Sequence, residues 1–418
     1  MENQKIFWTF LFLLFNQNFF KGKTMRILVL NCGSSSVKFA VIDTEKKESL
    51  SNGLVENIGV NGHFKAKGPE GKAEFHFDCP THKEAVIEVQ KFLTSQKLIN
   101  TIEAVGHRVV HGGKYIKSEP VTQELIDYIR SIILFAPQHE GAHATGMEVA
   151  KEIFPTLPQL AVFDTAFHQT MPRKAFLYGI PYSYYEKYQI RRYGFHGTSH
   201  RYVSAEAARI LGKKPEELNL ITAHLGNGSS CAAIHAGKCV DTTMGFTPLD
   251  GLVMGTRSGS VDPAILFFLN KKLGFDIDRL NQLVNKESGL LGLSGLSNDM
   301  RTITQKAAEG HQGAQIALEV FCYKLAREIG GLTMALPRLD ALVFTGGIGE
   351  NSRVVREITL ENLAILGFKM DAKRNEDNGE NSNHIITVEG SKPLAMVVPT
   401  NEELLIALDT AEYAKSVK

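Results

Sequence analysis

From Arg26 onward, short apolar runs that predict strands are set apart by longer stretches of helical period. Ile27 to Leu30 is such a run. It is followed by the turn residues Asn31-Cys32-Gly33-Ser34-Ser35-Ser36 and a return run from Val37 to Ile42, closed by Asp43. The layout recurs: Leu220 to Ala223 predicts a strand, His224-Leu225-Gly226-Asn227-Gly228-Ser229-Ser230 a turn, and Cys231 to Ile234 the return strand, with Asp241 beyond it. Two β-turn-β units with glycine and hydroxyl residues in the turn hint at an internal duplication.

Between the two copies, Ala104 to His107 and Leu160 to Phe163 predict short buried strands, and Glu84 to Lys97 and Thr122 to Ile133 predict helices. After the second copy, Ile316, Val320, Phe321, Leu325 and Ile329 recur at three-to-four spacing along a long helix ending near Pro337. The strand Ala341 to Phe344 follows. It meets Thr345-Gly346-Gly347-Ile348-Gly349-Glu350-Asn351-Ser352, a glycine-rich turn opening another helix. The polar stretch Lys373 to Asn383 is expected to be a solvated loop. A last strand, Ala395 to Val398, meets Pro399-Thr400-Asn401-Glu402-Glu403 and a closing helix. Strands alternating with helices place the chain in the α/β class.

Length and charge narrow the picture. A chain of 418 residues exceeds one ordinary core and predicts two or three packed units, two by default. Hydrophobic residues make up 43% and charged residues 22%, a globular balance. With 46 Lys plus Arg against 45 Asp plus Glu, the chain has no electrostatic footprint for nucleic acid or an anionic membrane, which leaves a small-molecule partner. The five cysteines form no CxxC pair and no zinc-ribbon spacing, as expected in a reducing cytosol. Residues 1–24 stand apart: Lys5 precedes the apolar run Ile6 to Phe15, which is too short to span a bilayer and lacks a small-residue cleavage site. An N-terminal extension from a start placed too early is the favoured expectation, ahead of a targeting segment.

The candidate chemistry lies in the turns. There is no Walker A pattern, and Gly347-Ile348-Gly349 lacks the third glycine of a dinucleotide fingerprint. Three glycine-rich turns nevertheless sit between a strand and the next element, where backbone N–H groups can face phosphate oxygens. One such turn would be an ordinary tight turn; three, with Ser and Asn interleaved, favour phosphate binding. Arg108 lies at the carboxyl end of an apolar strand in Gly106-His107-Arg108-Val109-Val110-His111-Gly112-Gly113, and Arg257 sits in Gly255-Thr256-Arg257-Ser258-Gly259. A guanidinium fork matches carboxylate or phosphoryl oxygens in a bidentate way, although either arginine alone would pass as a surface charge. Asp164 follows the strand Leu160 to Phe163, where ligands of open α/β sheets bind. His196 precedes a helix that Thr198 or Ser199 could cap. His139-Glu140-Gly141-Ala142-His143 matches the HExxH zinc-protease pattern, but Gly141 and Pro137 make a poor centre for a rigid metal-binding helix.

With these residues assembled, the sequence resembles the acetate kinase family from Met25 to the C-terminus. Asn31-Cys32-Gly33-Ser34-Ser35-Ser36-Val37-Lys38-Phe39 resembles the family's first signature, and Arg192-Tyr193-Gly194-Phe195-His196-Gly197-Thr198-Ser199-His200 its second. Val162-Phe163-Asp164-Thr165-Ala166-Phe167-His168 and Gly347-Ile348-Gly349-Glu350-Asn351 agree with both. The resemblance implies two duplicated actin-like ATPase (ribonuclease H-like) α/β domains around a central cleft. These would be residues 25–165 plus 399–418, carrying the acyl and magnesium site, and residues 166–398, carrying the nucleotide site.

The resemblance also implies an activity: reversible transfer of the ATP γ-phosphoryl group to acetate, giving acetyl phosphate and ADP, by a cytoplasmic homodimer using Mg2+ or Mn2+. Asn31 and Glu402 would serve the metal, and Ser34, Ser36 and Lys38 the first phosphate loop. His224, Leu225, Gly226, Asn227 and Gly228 would form the second phosphate loop. Asp299, Met300 and Arg301, with Gly347, Ile348, Gly349, Glu350 and Asn351, would hold the nucleoside end. Arg108 and Arg257 would clamp the acyl phosphate, His196 and Asn227 would meet the phosphoryl group in flight, and Asp164 would take the catalytic position. A general-base role suits Asp164 poorly, since a free carboxylate is already ionised at neutral pH; orienting Arg108 or a metal-bound water suits it better.

One local departure concerns the acyl pocket. The family usually has Ala-Pro-Leu-His-Asn-Pro where this chain has Ala136-Pro137-Gln138-His139-Glu140-Gly141. The leucine resembles a pocket wall alongside the positions of Val110, Phe195 and Pro248, so Gln138 bears on acyl-chain preference and Glu140 on His139. Propionate kinase is the nearest rival activity, because one methylene is worth only about 1 to 3 kcal/mol of discrimination. A non-catalytic actin-like module is the rival of another class, and retention of Arg108, Arg257 and His196 together speaks against it.

Overall fold

The computed structural model describes residues 25–136 and 139–417; the expectations for residues 1–24, Pro137 and Gln138 lie outside the described residues. β1 (Arg26–Gly33) and β2 (Ser36–Asp43) form a hairpin, so the first predicted turn narrows to Ser34-Ser35. β3 (Glu48–Glu56), β4 (Gly62–Gly68) and β5 (Gly71–Phe77) extend the meander on one side of it. On the other side β1 pairs in parallel with β6 (Ile102–Val109), and β6 with β8 (Gln159–Phe163); the two-residue β7 (Glu119–Pro120) lies at that edge.

The second sheet repeats the core of the first. β9 (Asn219–Leu225) and β10 (Ser229–His235) form the hairpin, and β11 (Lys238–Thr242) adds to it antiparallel. β12 (Ala341–Thr345) and β13 (Leu394–Val397) follow in parallel beyond β9. The orders β3-β2-β1-β6-β8 and β11-β10-β9-β12-β13 therefore match in sequence and in strand direction. This is the duplication that the two turn motifs hinted at, and the two-unit α/β fold expected from the sequence.

Both sheets are covered on two faces, which explains why their central strands are nearly continuous apolar runs. In β1, Leu28 and Leu30 face Val86, Val89 and Leu93 of the helix His82–Ser95. Ile27 and Val29 face Leu404, Ile406 and Ala407 of the closing helix Glu402–Ser416. In the second sheet, Ile221 and Phe344 face the long helix Gln312–Leu332, whereas Leu220 and Val343 face Val203 and Ala207 of the helix Gly197–Ile210. The closing helix thus follows the last strand of the second sheet but packs on the first. Arg201 and Asp409 tie those two helices together at 2.6 Å.

Three local expectations are corrected. The stretch Lys373 to Asn383 is not a solvated loop: it contains the helix Ala372–Glu376 and a turn at Glu380–Ser382, and Asn375 is buried against the side chain of Arg356. The helix Gly197–Ile210 has no side-chain cap, because Thr198 is buried and Ser199 bonds His224 and Thr400 instead. Gly141 does not prevent a helix, which runs from Glu140 to Ile153; burial of Ala144, Met147 and Ala150 outweighs the glycine's propensity.

Candidate active site

The parallel register of β6 and β8 sets Arg108 beside Val162, and the chain turns immediately after Phe163 so that Asp164 meets it. Arg108 Nε donates to Asp164 Oδ1 at 3.1 Å and Nη2 to Oδ2 at 2.8 Å, while Nη1 lies 3.6 Å from Glu402 Oε2. Burial pushes the Asp164 carboxyl above 3.8, and Arg108 pulls against it. Two parallel bonds to a permanent cation keep it ionised at neutral pH. Asp164 therefore orients Arg108, and a carboxylate held ionised against a permanent cation is a weak base, which suits a general-base role poorly.

Glu402 opens the closing helix, next to its cap Asn401. Its Oε1 is buried with no hydrogen-bond partner among the described residues. An orphaned, inward carboxylate oxygen is what a hard divalent cation would satisfy, with phosphate oxygens supplying further ligands. The side chain of Asn31, near the end of β1, likewise engages no protein partner among the described residues. The residues present fit the metal that the resemblance implies.

Across from Arg108 the second unit supplies histidines and a second arginine. His196 adopts a left-handed backbone (φ 54°), which costs a non-glycine residue about 1 kcal/mol. The bend is held because Gly197 N–H donates to Asp164 O at 2.8 Å; any side chain at Gly197 would strike that carbonyl. The His196 and His224 rings stack with centroids 4.4 Å apart, and Ser199 Oγ bonds His224 Nδ1 and Thr400 Oγ1, each at 2.8 Å. Burial is the main cause that depresses both imidazoles, His224 to about 4; Arg108 depresses both further, and Arg257 adds its charge at His196.

Gly226, Asn227 and Gly228 form the turn between β9 and β10. A Cβ at Gly228 would lie 2.8 Å from Arg257 Nη2 and 3.3 Å from His196 Nε2, so these two donors converge on the cradle that the missing side chain leaves open. Arg257 Nη1 is anchored to Pro248 O at 2.6 Å, and Arg257 has no carboxylate partner among the described residues. Asn227 Oδ1 accepts from Asn298 Nδ2 at 3.2 Å, which brings the segment Asp299-Met300-Arg301 alongside.

The remaining candidates divide. Val110 and Phe195 share one buried apolar cluster with Ala136, Met244 and Met254, close to Arg108 in the chain. Asp299 caps the helix Met300–Ala308 and pairs with the exposed Arg301. Gly347 and Ile348 open the helix Gly346–Asn351, where Asn351 Nδ2 donates back to Gly347 O. Glu350 is spent internally, its Oε1 accepting from Gly346 N, Thr400 N and Thr345 Oγ1. Ser34 is exposed in the β1–β2 turn, with Ser36 half-buried beside it. Lys38 lines, together with Asn401 and Glu403, a groove of ≈800 Å³ floored by β2 to β5.

One further expectation is corrected here. Glu140 does not perturb His139; it is fully buried, its Oε1 accepts from His111 N–H at 2.9 Å, and the imidazole nearest to it is His143, at 3.6 Å. The HExxH carboxylate thus serves the loop after β6. Sequence reading missed Ser199, Ser230, His200 and Arg356, which position the site from behind. Ser199, His200 and Ser230 lay inside quoted motifs, and Arg356 did not.

The acetokinase family model matches residues 26–408. Acetate kinase of Thermoanaerobacter pseudethanolicus is 49% identical over 403 residues, covering 94% of this chain and 100% of its own length. Among solved structures, a propionate kinase from Francisella tularensis superposes with a TM-score of 0.88 at 46% identity, covering 93% of this chain and 99% of that one. Porphyromonas gingivalis acetate kinase gives 0.86 at 41%, with the same 93% and 99% coverage. With the matched residues spanning both sheets and every loop that meets at Gly228, the chain belongs to the acetokinase family.

Proposed function

We propose that the protein is an acetate kinase, transferring the γ-phosphoryl group of ATP reversibly to acetate. The observation that carries this reading is the convergence of His196 Nε2 and Arg257 Nη2 on the open face of Gly228, opposite the Arg108–Asp164 pair. A loose phosphoryl-transfer transition state asks chiefly for positioning and for neutralisation of charge on the equatorial oxygens. A carboxylate oxygen of acetate attacks the γ-phosphorus as the bond to the bridging oxygen breaks, and ADP leaves.

In this reading Arg108 and Arg257 hold the acyl and phosphoryl oxygens, His196 and Asn227 contact the phosphoryl group, and Asp164 fixes Arg108. Val110, Phe195 and Pro248 bound the methyl group. Ser34, Ser36 and Lys38, together with His224 to Gly228, attend the phosphates; Asp299 to Arg301 and Gly347 to Asn351 attend the nucleoside. Mg2+ is the metal favoured, with Mn2+ a substitute, at Asn31 and Glu402; when bound, it neutralises phosphate charge. The functional units are residues 25–165 with 399–418, and residues 166–398.

The active form is a homodimer. The helix Pro263–Leu273 supports this, since none of its residues is buried and it presents Ile265, Phe267, Phe268 and Leu273 to solvent. A cytoplasmic setting accords with cysteines that are all free and buried. No helix among the described residues is long and apolar enough to cross a membrane.

Propionate is the second substrate to weigh, because the Francisella tularensis structure bears that name. Purified protein supplied with ATP, Mg2+ and hydroxylamine, and offered formate, acetate, propionate or butyrate, separates the readings. Acetate is expected to give the highest kcat/KM for hydroxamate. A higher value with propionate would reassign the substrate, and no hydroxamate with any acid would end the kinase reading.

A further inference from the structure

Behind His196 runs a chain of side chains to which the kinase reading gives no task. His196 Nδ1 lies 2.9 Å from Ser230 Oγ, Ser230 Oγ lies 2.8 Å from His200 Nε2, and His200 Nδ1 lies 2.6 Å from Thr222 Oγ1. Ser230, His200 and Thr222 are each 0% exposed, so their hydrogen bonds must be completed within the protein. Burial, aided by neighbouring charges, holds both imidazoles well below 6.5, and each ring carries a single proton at neutral pH.

With one proton per ring, the direction of the chain is determined. If His196 carried its proton on Nδ1, it would donate to Ser230, Ser230 to His200 Nε2, and His200 Nδ1 to Thr222. The Thr222 hydroxyl hydrogen would then be buried with no acceptor among the described residues. If both rings donated to Ser230, the serine hydrogen would be orphaned instead. Placing a bare Nε2 of His200 against a serine that donates to His196 would set two lone pairs face to face. In the one remaining order Thr222 donates to His200 Nδ1, His200 Nε2–H to Ser230, and Ser230 to His196 Nδ1. Every donor is then used, and buried polar chains strongly favour such completeness.

We propose that Thr222, His200 and Ser230 form a one-way hydrogen-bond chain that locks His196 as the Nε2–H tautomer, which makes these three the positioning residues for a phosphoryl-oxygen donor. Nε2 is the nitrogen that faces the Gly228 cradle beside Arg257 Nη2. Protonated there, it donates to an equatorial phosphoryl oxygen; bare, its lone pair would repel the same oxygen. The catalytic consequence rests on the kinase reading, but the tautomer does not.

Nuclear magnetic resonance of the full chain labelled with 15N-histidine reads the tautomer directly, the His196 signals being assigned by their loss in His196→Gln. The chain predicts a protonated Nε2 and a bare, hydrogen-bonded Nδ1. A protonated Nδ1, or averaged tautomers, in the unmodified protein would overturn it. Thr222→Val keeps the shape and removes the hydroxyl, whereas Thr222→Ser keeps the hydroxyl. Thr222→Val is expected to mix the His196 tautomers and lower kcat about tenfold, with KM for ATP and for acetate within twofold, and Thr222→Ser to retain both properties. An unmixed tautomer and unchanged kcat in a folded Thr222→Val would also overturn the proposal. Should that variant not fold, the spectrum of the unmodified protein decides alone. A protein showing Nε2–H but making no acyl phosphate would sink the kinase reading and leave the lock standing.

Discussion

The two arginines differ in what holds them, and that difference predicts how each fails. Arg108 is fixed by a bidentate carboxylate, whereas Arg257 is fixed by one carbonyl and leaves Nη2 facing the Gly228 cradle. Lysine can reproduce the charge of either but neither fork. Arg108→Lys and Arg257→Lys should each lose at least about 100-fold in kcat/KM for acetate, roughly 2.7 kcal/mol. Steady-state rates near those of the unmodified enzyme would remove the clamp from the account. A second residue-scale expectation concerns pH. Burial depresses His107, His168 and His224 to about 4 and His143 to about 3, while it pushes Glu140 well above 4.5. For the histidines the unfolded chain takes up protons first as pH falls below 6.5, so their contribution to stability is lost from 6.5 downward, at about 1.4 kcal/mol per pH unit for each. Glu140 has the opposite sign: above 4.5 the unfolded chain releases a proton that the folded one retains, so stability drains as pH rises. Glu140→Gln, which keeps the acceptor for His111 N–H, should raise the thermal midpoint at pH 8 more than at pH 5. Equal shifts at both pH values would show that Glu140 is ionised in the fold. Arg108, Asp164, His196 and the Gly228 turn were legible in the sequence because each follows an apolar strand or lies in a glycine-rich turn. The roles of Ser230 and Thr222 were not, because Ser230 reads as a turn residue and Thr222 as part of an apolar strand, and neither hydroxyl gives a signal until the facing histidine is known.

Among the elements, the parallel strands and the two hairpins were readable because both faces are covered and the runs are accordingly apolar. β3 to β5 were not predicted: Gly53 interrupts β3, and most of β5 is exposed, so neither shows a clean period of two. The polar stretch after Asp371 misled for the opposite reason. It is polar because it solvates a buried guanidinium: Arg356 is 0% exposed and donates to Asn375 Oδ1 and O, Asn378 Oδ1, Gly349 O and Glu350 O, all within 2.9 Å. No carboxylate among the described residues pairs with it, and burial lowers the guanidinium to about 10. Arg356 thereby pins the glycine-rich helix Gly346–Asn351 from behind. Lysine cannot span those acceptors, so Arg356→Lys should raise KM for ATP roughly 3- to 10-fold and leave KM for acetate within twofold. An equal rise in both constants would point to general loosening rather than to the nucleoside segment.

For the molecule as a whole, the repeated strand order places one unit's strand ends opposite the other's, and the cleft between them gathers residues that are far apart in the chain. The exposed apolar helix Pro263–Leu273 belongs to this scale too, since a face carrying Phe267 at 67% and Phe268 at 62% exposure calls for cover. Phe267→Glu with Phe268→Glu should shift the sedimentation coefficient from dimer to monomer; an unchanged dimer would move the interface elsewhere. The central claim is narrower and is tested most directly in the reverse direction. The purified chain, given acetyl phosphate, ADP and Mg2+, should form ATP and acetate in equal amounts, and formation should stop when acetyl phosphate is withheld. ATP no higher than in a heat-inactivated control, or ATP formed equally well without acetyl phosphate, would contradict the assignment of the Gly228 cradle to acyl phosphate chemistry.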